Sequence, residues 1–343
     1  MTHLAFLLLQ ILTPIEGQQE NPIVRVEREA WIMGTSAVVI IEADSREFAI
    51  QASEIVIREL ERFESVVSTW RSDSELSLLN TSPVGENIPL SEELFLLLAR
   101  AEEISRRTKG SFNPFMGSLI KVWDLRGEGR IPNNQELQTA TRHAQLDAFA
   151  LDFTHHTVAR NFNSSWIETG AFGKGAALAG LIPLLNGSVS YAEINFGGQV
   201  WVYFRNPTEG LGRIIQIAHP SDLNESVLSV RLRNQSIATS GISERFIEVG
   251  DESFGHILDP YSGFPVDPWG SVSVISSDPM EADALATALF VMGPDKGFEW
   301  ARKQQDIAAL FIRDNHGQLS SKWTTSFQEF FSVPQHSTKD RKA

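Results

Sequence analysis

Cysteine is absent from all 343 residues. That absence excludes disulfide staples, thiolate metal sites and cysteine nucleophiles, and leaves oxygen and nitrogen as the ligand atoms for any metal. Basic residues are also scarce: 29 Lys and Arg stand against 43 Asp and Glu, for a formal charge of −14. A surface of that sign repels phosphate backbones, so nucleic acid is excluded as a partner. A bound anion would need a local device, such as a cation or a helix N-terminus. Long apolar runs are missing too. The longest near the start, Leu4 to Leu12, suits the core of an export signal and is too short to span a bilayer. Residues 1–22 therefore read as an export signal or tether, and a lipid-anchoring cysteine is not available. The polar end, 331–343, reads as a disordered tail.

What is present suffices for a large core, with 42% hydrophobic residues. Residues 31–43 predict one strand, rich in β-branched side chains. Amphipathic helices are expected from Ser45 to Phe63, from the Ser91 cap to the Gly110 stop, over 133–146, and over 173–187, with a kink at Pro183. Extended stretches then dominate: 191–204, 212–220, 228–241, 245–259 and 271–277, with hairpin turns at 249–252 and 315–317. Helices and strands do not alternate regularly. The pattern predicts an α+β fold, a largely antiparallel sheet flanked by helices, in one domain over 24–330.

The stretch "SSDPMEADALATALFVMG" poses a question of charge. Asp278 suits an N-cap, Pro279 the first helical position, and Glu281 the third, as in a capping box; Gly293-Pro294 ends the helix. The body is apolar nearly all round, the mark of a buried helix. Asp283 nevertheless lies inside it, with Thr287 one turn on along the same face. An oxygen pair of that spacing suits Mg²⁺. The competing reading is structural: an Asp bonded to backbone N–H groups and a Thr bonded back to its own helix. The residues alone leave both open.

Other motifs are equally two-sided. In "ETGAFGKGAALAG", Gly170, Gly173 and Gly175 open a helix whose N–H groups could cradle phosphate beside Lys174, or simply make a tight turn. In "GHILDPYSGFPVDP", His256 is either a positioned base or a half-buried strand residue. "NFGGQ" places Gly197 and Gly198 in a strand-like run, as a bulge or a point of ligand approach. Trp70, in "STWRSDSELSLLN", either stacks on a flat ligand or fills the core.

The order of these motifs is more specific than any one. "MGT" at Met33, "STWRSDSELSLLN", "GSFNPFMGSLIKVW", "ETGAFGKGAA", "NFGGQV", "SIATSGISERF", "HILDPYSGFPV" and "MEADALATALFVMGP" together resemble the ApbE family, the FAD:protein FMN transferases. The resemblance spans roughly residues 24–330. It implies an enzyme that uses FAD as substrate with Mg²⁺ and joins FMN through a phosphoester to a Ser or Thr of a partner protein, releasing AMP. It implies Asp283, Thr287 and the Gly173 carbonyl as metal ligands, and His256 as the base. Met33, Trp70, Lys174, Gly197, Gly198, Ser240 and Gly241 would join Gly173 and His256 in contacting the dinucleotide. The implied acceptor is a flavin-carrying subunit of a membrane redox complex, met on the exported or periplasmic side of the inner membrane. Related alternatives are an Mg²⁺-dependent FAD pyrophosphatase and a non-catalytic FAD-binding protein. The chain departs from the family pattern at Glu168 (for Asp), Ala171 (for Gly), Gly173 (for Ala), Asn113 (for Asp) and Ile242-Ser243 (for Asp-Tyr), and has Trp70 where Tyr is common.

Overall fold

Met33 and Gly34 divide the first β-rich stretch in two. In the computed structural model, which describes residues 23–332 apart from 186, 209–210, 242–245, 250–251 and 316, both take positive φ, 51° and 72°. Two such residues make the tight primed turn of a hairpin. The single strand expected over 31–43 is therefore the end of β1 (Val24–Ile32) and the whole of β2 (Thr35–Ala43), paired antiparallel. The expected leader and tail fall on residues 1–22 and 331–343, of which only Phe331 and Ser332 are described.

The chain continues through α1 (Arg46–Val67), α2 (Glu75–Thr81), β3 (Ile88–Pro89), α3 (Glu92–Arg107), α4 (Gly117–Val122), α5 (Asn134–His143), β4 (Phe149–Asp152), β5 (Thr157–Arg160) and α6 (Gly173–Leu185). Then come β6 (Tyr191–Phe196), β7 (Gln199–Phe204), β8 (Arg213–His219), β9 (Asp222–Leu232), β10 (Ser236–Gly241), β11 (Phe246–Val249), β12 (Glu252–Gly255), β13 (Gly270–Ser276), α7 (Pro279–Ala301), β14 (Ile307–Asn315) and β15 (Gln318–Trp323). Local chemistry sets the helix starts. The side chains of Ser45, Ser91 and Asn133 accept the N–H groups of Phe48, Leu94 and Glu136, and Asn133 with Glu136 forms a full capping box. Pro183 lies inside α6, two residues from its end. The hairpin turn expected over 249–252 and the one at 315–317 each include residues outside the described set, but β11 pairs with β12 and β14 with β15 around them.

Eight strands form one sheet in the order β1-β2-β6-β7-β10-β13-β14-β15. Every neighbouring pair runs antiparallel. The α+β expectation therefore holds, with a largely antiparallel sheet in one integrated domain. Both faces of the sheet are covered. Val39 and Ile41 of β2 and Val272 and Val274 of β13 join the larger core with α1, α6 and α7. Their neighbours Ile40 and Ile275 point the other way, into a second cluster under β8, β9 and Phe327. Burial on both faces explains why central strands such as β13 are buried at every residue. A third cluster joins Leu119 and Trp123 to Leu137 and Leu258.

Candidate active site

α7 crosses the larger core with its first half against α6 and the central strands, and it changes direction at Gly293 (φ 77°, ψ 168°). Its start follows the expectation in part. The Asp278 carboxylate accepts the Met280 N–H at 2.9 Å and the Glu281 N–H at 3.5 Å. Glu281 does not complete a capping box; the Asp278 N–H goes to the Ser276 hydroxyl at 3.2 Å. Glu281 is instead buried and ion-paired with Arg100 at 2.7 Å and Arg107 at 2.9 Å, which fastens α7 to α3. Burial pushes its carboxyl above the usual range, while the two guanidinium groups oppose that shift.

Asp283 is 7% exposed. Its Oδ2 accepts the Gly175 N–H at 2.9 Å, and its Oδ1 lies 3.8 Å from the Lys174 ammonium. Thr287 reaches back to the Asp283 carbonyl at 3.4 Å and sideways to the Ser240 hydroxyl at 3.4 Å. Both contacts are long and weak. The arrangement contains what a purely structural pair would show, a carboxylate on a backbone N–H and a Thr bonded to its own helix. It also converges a cation and further oxygens on the same point, which structure alone does not require.

The glycines explain how close the elements come. A Cβ on Gly175 would stand 2.3 Å from the Pro279 carbonyl oxygen and 2.8 Å from the Asp283 Cβ, so only glycine lets α6 meet α7 here. A Cβ on Gly173 would stand 3.1 Å from the Met33 Cε, and one on Gly197 would stand 2.7 Å from the Thr35 Oγ1 and 3.2 Å from the Lys174 Cδ. Met33, Gly173, Lys174, Gly197, Ser240, Asp283 and Thr287 are thus linked by direct contact or close approach. Gly198 and Gly241 adjoin them: Gly198 donates its N–H to the Asn195 side chain at 3.0 Å, and Gly241 ends β10 beside Ser240.

Three expectations need correction in detail. Gly197 and Gly198 (φ 57° and 88°) form the turn of the β6–β7 hairpin and not a bulge; two glycines supply the positive φ a primed turn needs. Gly173 opens α6 at the end of the glycine-rich loop, as expected. The backbone amides of that loop are less available than a phosphate cradle would need: Phe172 and Gly173 donate to the Thr169 carbonyl, and Gly175 donates to Asp283. Positive charge at this point therefore comes chiefly from Lys174. Trp70 does not fill the core; it is 71% exposed. His256 follows β12, half-buried, and precedes Ile257, which packs on the larger core.

Several participants escaped the sequence reading. Gln199 is buried and donates to the Pro279 carbonyl at 2.8 Å and to the Ser236 hydroxyl at 3.0 Å, which holds the first turn of α7 from the sheet side. Its place after "NFGG" was the available signal. Glu64 accepts the Met33 N–H at 3.1 Å and holds the β1–β2 turn. Arg126, whose guanidinium lies 4.4 Å over the Trp70 ring, carried no signal at all.

The oxygens near Asp283 are those of its carboxylate, the Thr287 and Ser240 hydroxyls, and the Asp283 and Pro279 carbonyls. Among the described residues no group of three or more His, Cys, Asp or Glu could hold a metal by itself. A single carboxylate with hydroxyl and carbonyl neighbours fits a hard cation that takes its remaining ligands from water and phosphate, as Mg²⁺ does.

Comparison with known proteins gives the same direction. The sequence matches the ApbE family over residues 33–311. It is 29% identical to the FAD:protein FMN transferase of Treponema pallidum, over 83% of each chain. It is 27% identical to the protein of that name from Klebsiella pneumoniae, over 85% of this chain and 90% of the relative. The fold superposes on the ApbE protein of Thermotoga maritima with a TM-score of 0.82, at 25% identity, covering 90% of this chain and all of that one. The flavin transferase ApbE of Vibrio cholerae superposes with a TM-score of 0.78, also at 25% identity and with the same coverage. A match across most of the chain, in sequence and in fold, settles the kinship: the protein belongs to the ApbE family.

Proposed function

We propose that this chain is an FAD:protein FMN transferase. What carries the reading is the buried Asp283, faced by Lys174 at the meeting of α6 and α7, in a chain whose relatives bear that activity in their names. FAD is the substrate, and a protein hydroxyl is the acceptor.

Asp283, Thr287 and the Gly173 carbonyl would hold Mg²⁺, which would supply charge neutralisation for the pyrophosphate. Lys174 adds a second positive charge beside the same oxygens. Its aliphatic stem passes close to Gly197, which fixes the direction of approach. Met33, Ser240 and the Gly197–Gly198 turn wall the site. His256 takes the proton from the acceptor Ser or Thr hydroxyl as its oxygen forms a bond to the FMN phosphorus. The bond from that phosphorus to the bridging oxygen breaks, and AMP departs with that oxygen. Little covalent chemistry falls to the protein; positioning and charge account for the acceleration.

The acceptor is a flavin-carrying subunit of a membrane redox complex, met on the exported side. The apolar run Leu4 to Leu12 supports that location. Among the described residues no helix is long and apolar enough to cross a membrane.

The test is incubation with FAD, Mg²⁺ and a Ser/Thr-containing acceptor domain, with AMP assay and mass spectrometry. AMP release with FMN covalently on the acceptor is expected, and Asp283→Ala should abolish it while the fold survives. AMP with free FMN only would replace the transferase by a pyrophosphatase. Bound FAD with no AMP would replace it by a flavin-binding protein.

A further inference from the structure

Trp70 is an indole turned outward where burial is the rule, and the structure shows what holds it there. The guanidinium carbon of Arg126 lies 4.4 Å from the centroid of its ring, a cation–π distance. That guanidinium is fixed on its other edges. Nη1 donates to the Thr69 carbonyl at 3.0 Å, and Nη2 donates to the Thr69 hydroxyl and to the Glu168 carboxylate. The second Glu168 oxygen accepts the Thr69 hydroxyl at 3.1 Å, so the four groups close a ring of contacts. The ion pair is largely shielded, with side-chain exposures of 27% and 15%, and is screened less than a surface pair.

Glu168 is also the first residue of the segment that leads into α6. Its N–H donates to the Pro114 carbonyl at 2.8 Å, and the preceding Ile167 is held by both ends of the Asn80 amide, at 2.8 and 3.0 Å. The segment from 168 to 173 therefore starts at the Trp70 platform and ends at Lys174 and Gly175 on Asp283. A ligand that joins a flat ring to a pyrophosphate would engage both ends.

We propose that Arg126, through Glu168, is a positioning residue that holds Trp70 as a platform for one flat ring of the dinucleotide, at a set distance from the phosphate end of the site. The inference rests on the FAD reading above. Arg126 covers one face of the indole, and the ring stacks on the exposed remainder.

The test is FAD affinity, read by flavin fluorescence on the full chain without acceptor, for Arg126→Met, Trp70→Ala and the double variant, with Arg126→Lys as the conservative partner. Each single change should weaken FAD binding about tenfold. The double variant should be no weaker than Trp70→Ala, because Arg126 acts through the indole. Arg126→Lys should fall between, since it keeps the charge and loses the fork. Losses that multiply, or an Arg126→Met affinity equal to the parent's, would overturn the proposal. Should Arg126→Met fail to fold, Arg126→Lys with Trp70→Ala decides by the same rule. Repeating the titration with FMN and with ADP-ribose identifies the stacked ring, as the half that Trp70→Ala weakens; if neither is weakened, the platform is wrong. AMP release enters none of these readings, so a chain that stacks FAD on Trp70 yet releases no AMP overturns the transferase alone.

Discussion

Gly175 and Asp283 are interlocked: the glycine N–H donates to the carboxylate at 2.9 Å, and the space a Gly175 side chain would need is filled by the Asp283 Cβ and the Pro279 carbonyl. Gly175→Ala should therefore push α6 and α7 apart. Overpacking of this kind costs about 1–3 kcal/mol. Loss of melting midpoint should accompany a larger loss of AMP release, because the same shift moves the carboxylate. An alanine variant with parental stability and turnover would show that the helices can give way.

Lys174 competes for the oxygen that a cation would take, 3.8 Å from the Asp283 Oδ1. Lys174→Met should raise the affinity of the FAD-free protein for Mg²⁺ by about tenfold, because a like charge is removed at close range. FAD affinity should fall at the same time. Calorimetric titration with Mg²⁺ alone separates the two effects, and an unchanged Mg²⁺ affinity would remove Lys174 from the cation's neighbourhood.

His256→Ala should keep FAD affinity within a few-fold of the parent and slow FMN transfer by about 10²–10⁴-fold, the usual weight of a general base. Fluorescence titration beside single-turnover AMP release gives the comparison. Loss of FAD binding would make His256 a ligand contact and leave the base to be found elsewhere.

His143 supplies a pH dependence away from the site. Its ring stacks on Phe162 at 4.4 Å and bonds the Ser164 hydroxyl at 2.5 Å. Burial, then the Arg142 charge, holds its pKa below the ordinary 6.5. The folded state thus favours the neutral ring. That contribution is complete above pH 6.5 and is lost as the pH falls from there through the lowered folded value. Melting midpoints taken between pH 8 and pH 5 should fall less steeply in His143→Gln; parallel curves would contradict it.

The start of α7 was legible because caps are local: Asp278 and Pro279 sit beside the groups they serve. So were α1 and α3, whose apolar stripes repeat at helical spacing. The β1–β2 turn was not, because Met33 is no turn former and its positive φ is held by Glu64 on α1. The Gly197–Gly198 turn erred the opposite way, as a strong hairpin signal read as a bulge. The sheet of β3, β5 and β4 was missed because its strands are two to four residues long, too short for a period to show. At the site, Asp283, Thr287 and the glycine cluster could be seen, but which glycine is obligatory is decided by the approach of a distant helix. Arg126 lies 42 residues from Glu168 in an aperiodic loop, and no local pattern connects them.

The first turn of α7 is fastened from two sides, by Glu281 to the arginines of α3 and by Gln199 to the Pro279 carbonyl. Asp283 is consequently desolvated and aimed before any ligand arrives. The unfavourable work of stripping water from that carboxylate belongs to folding, is done once, and is not repeated in each catalytic cycle. Binding at such a preorganised centre loses little conformational entropy.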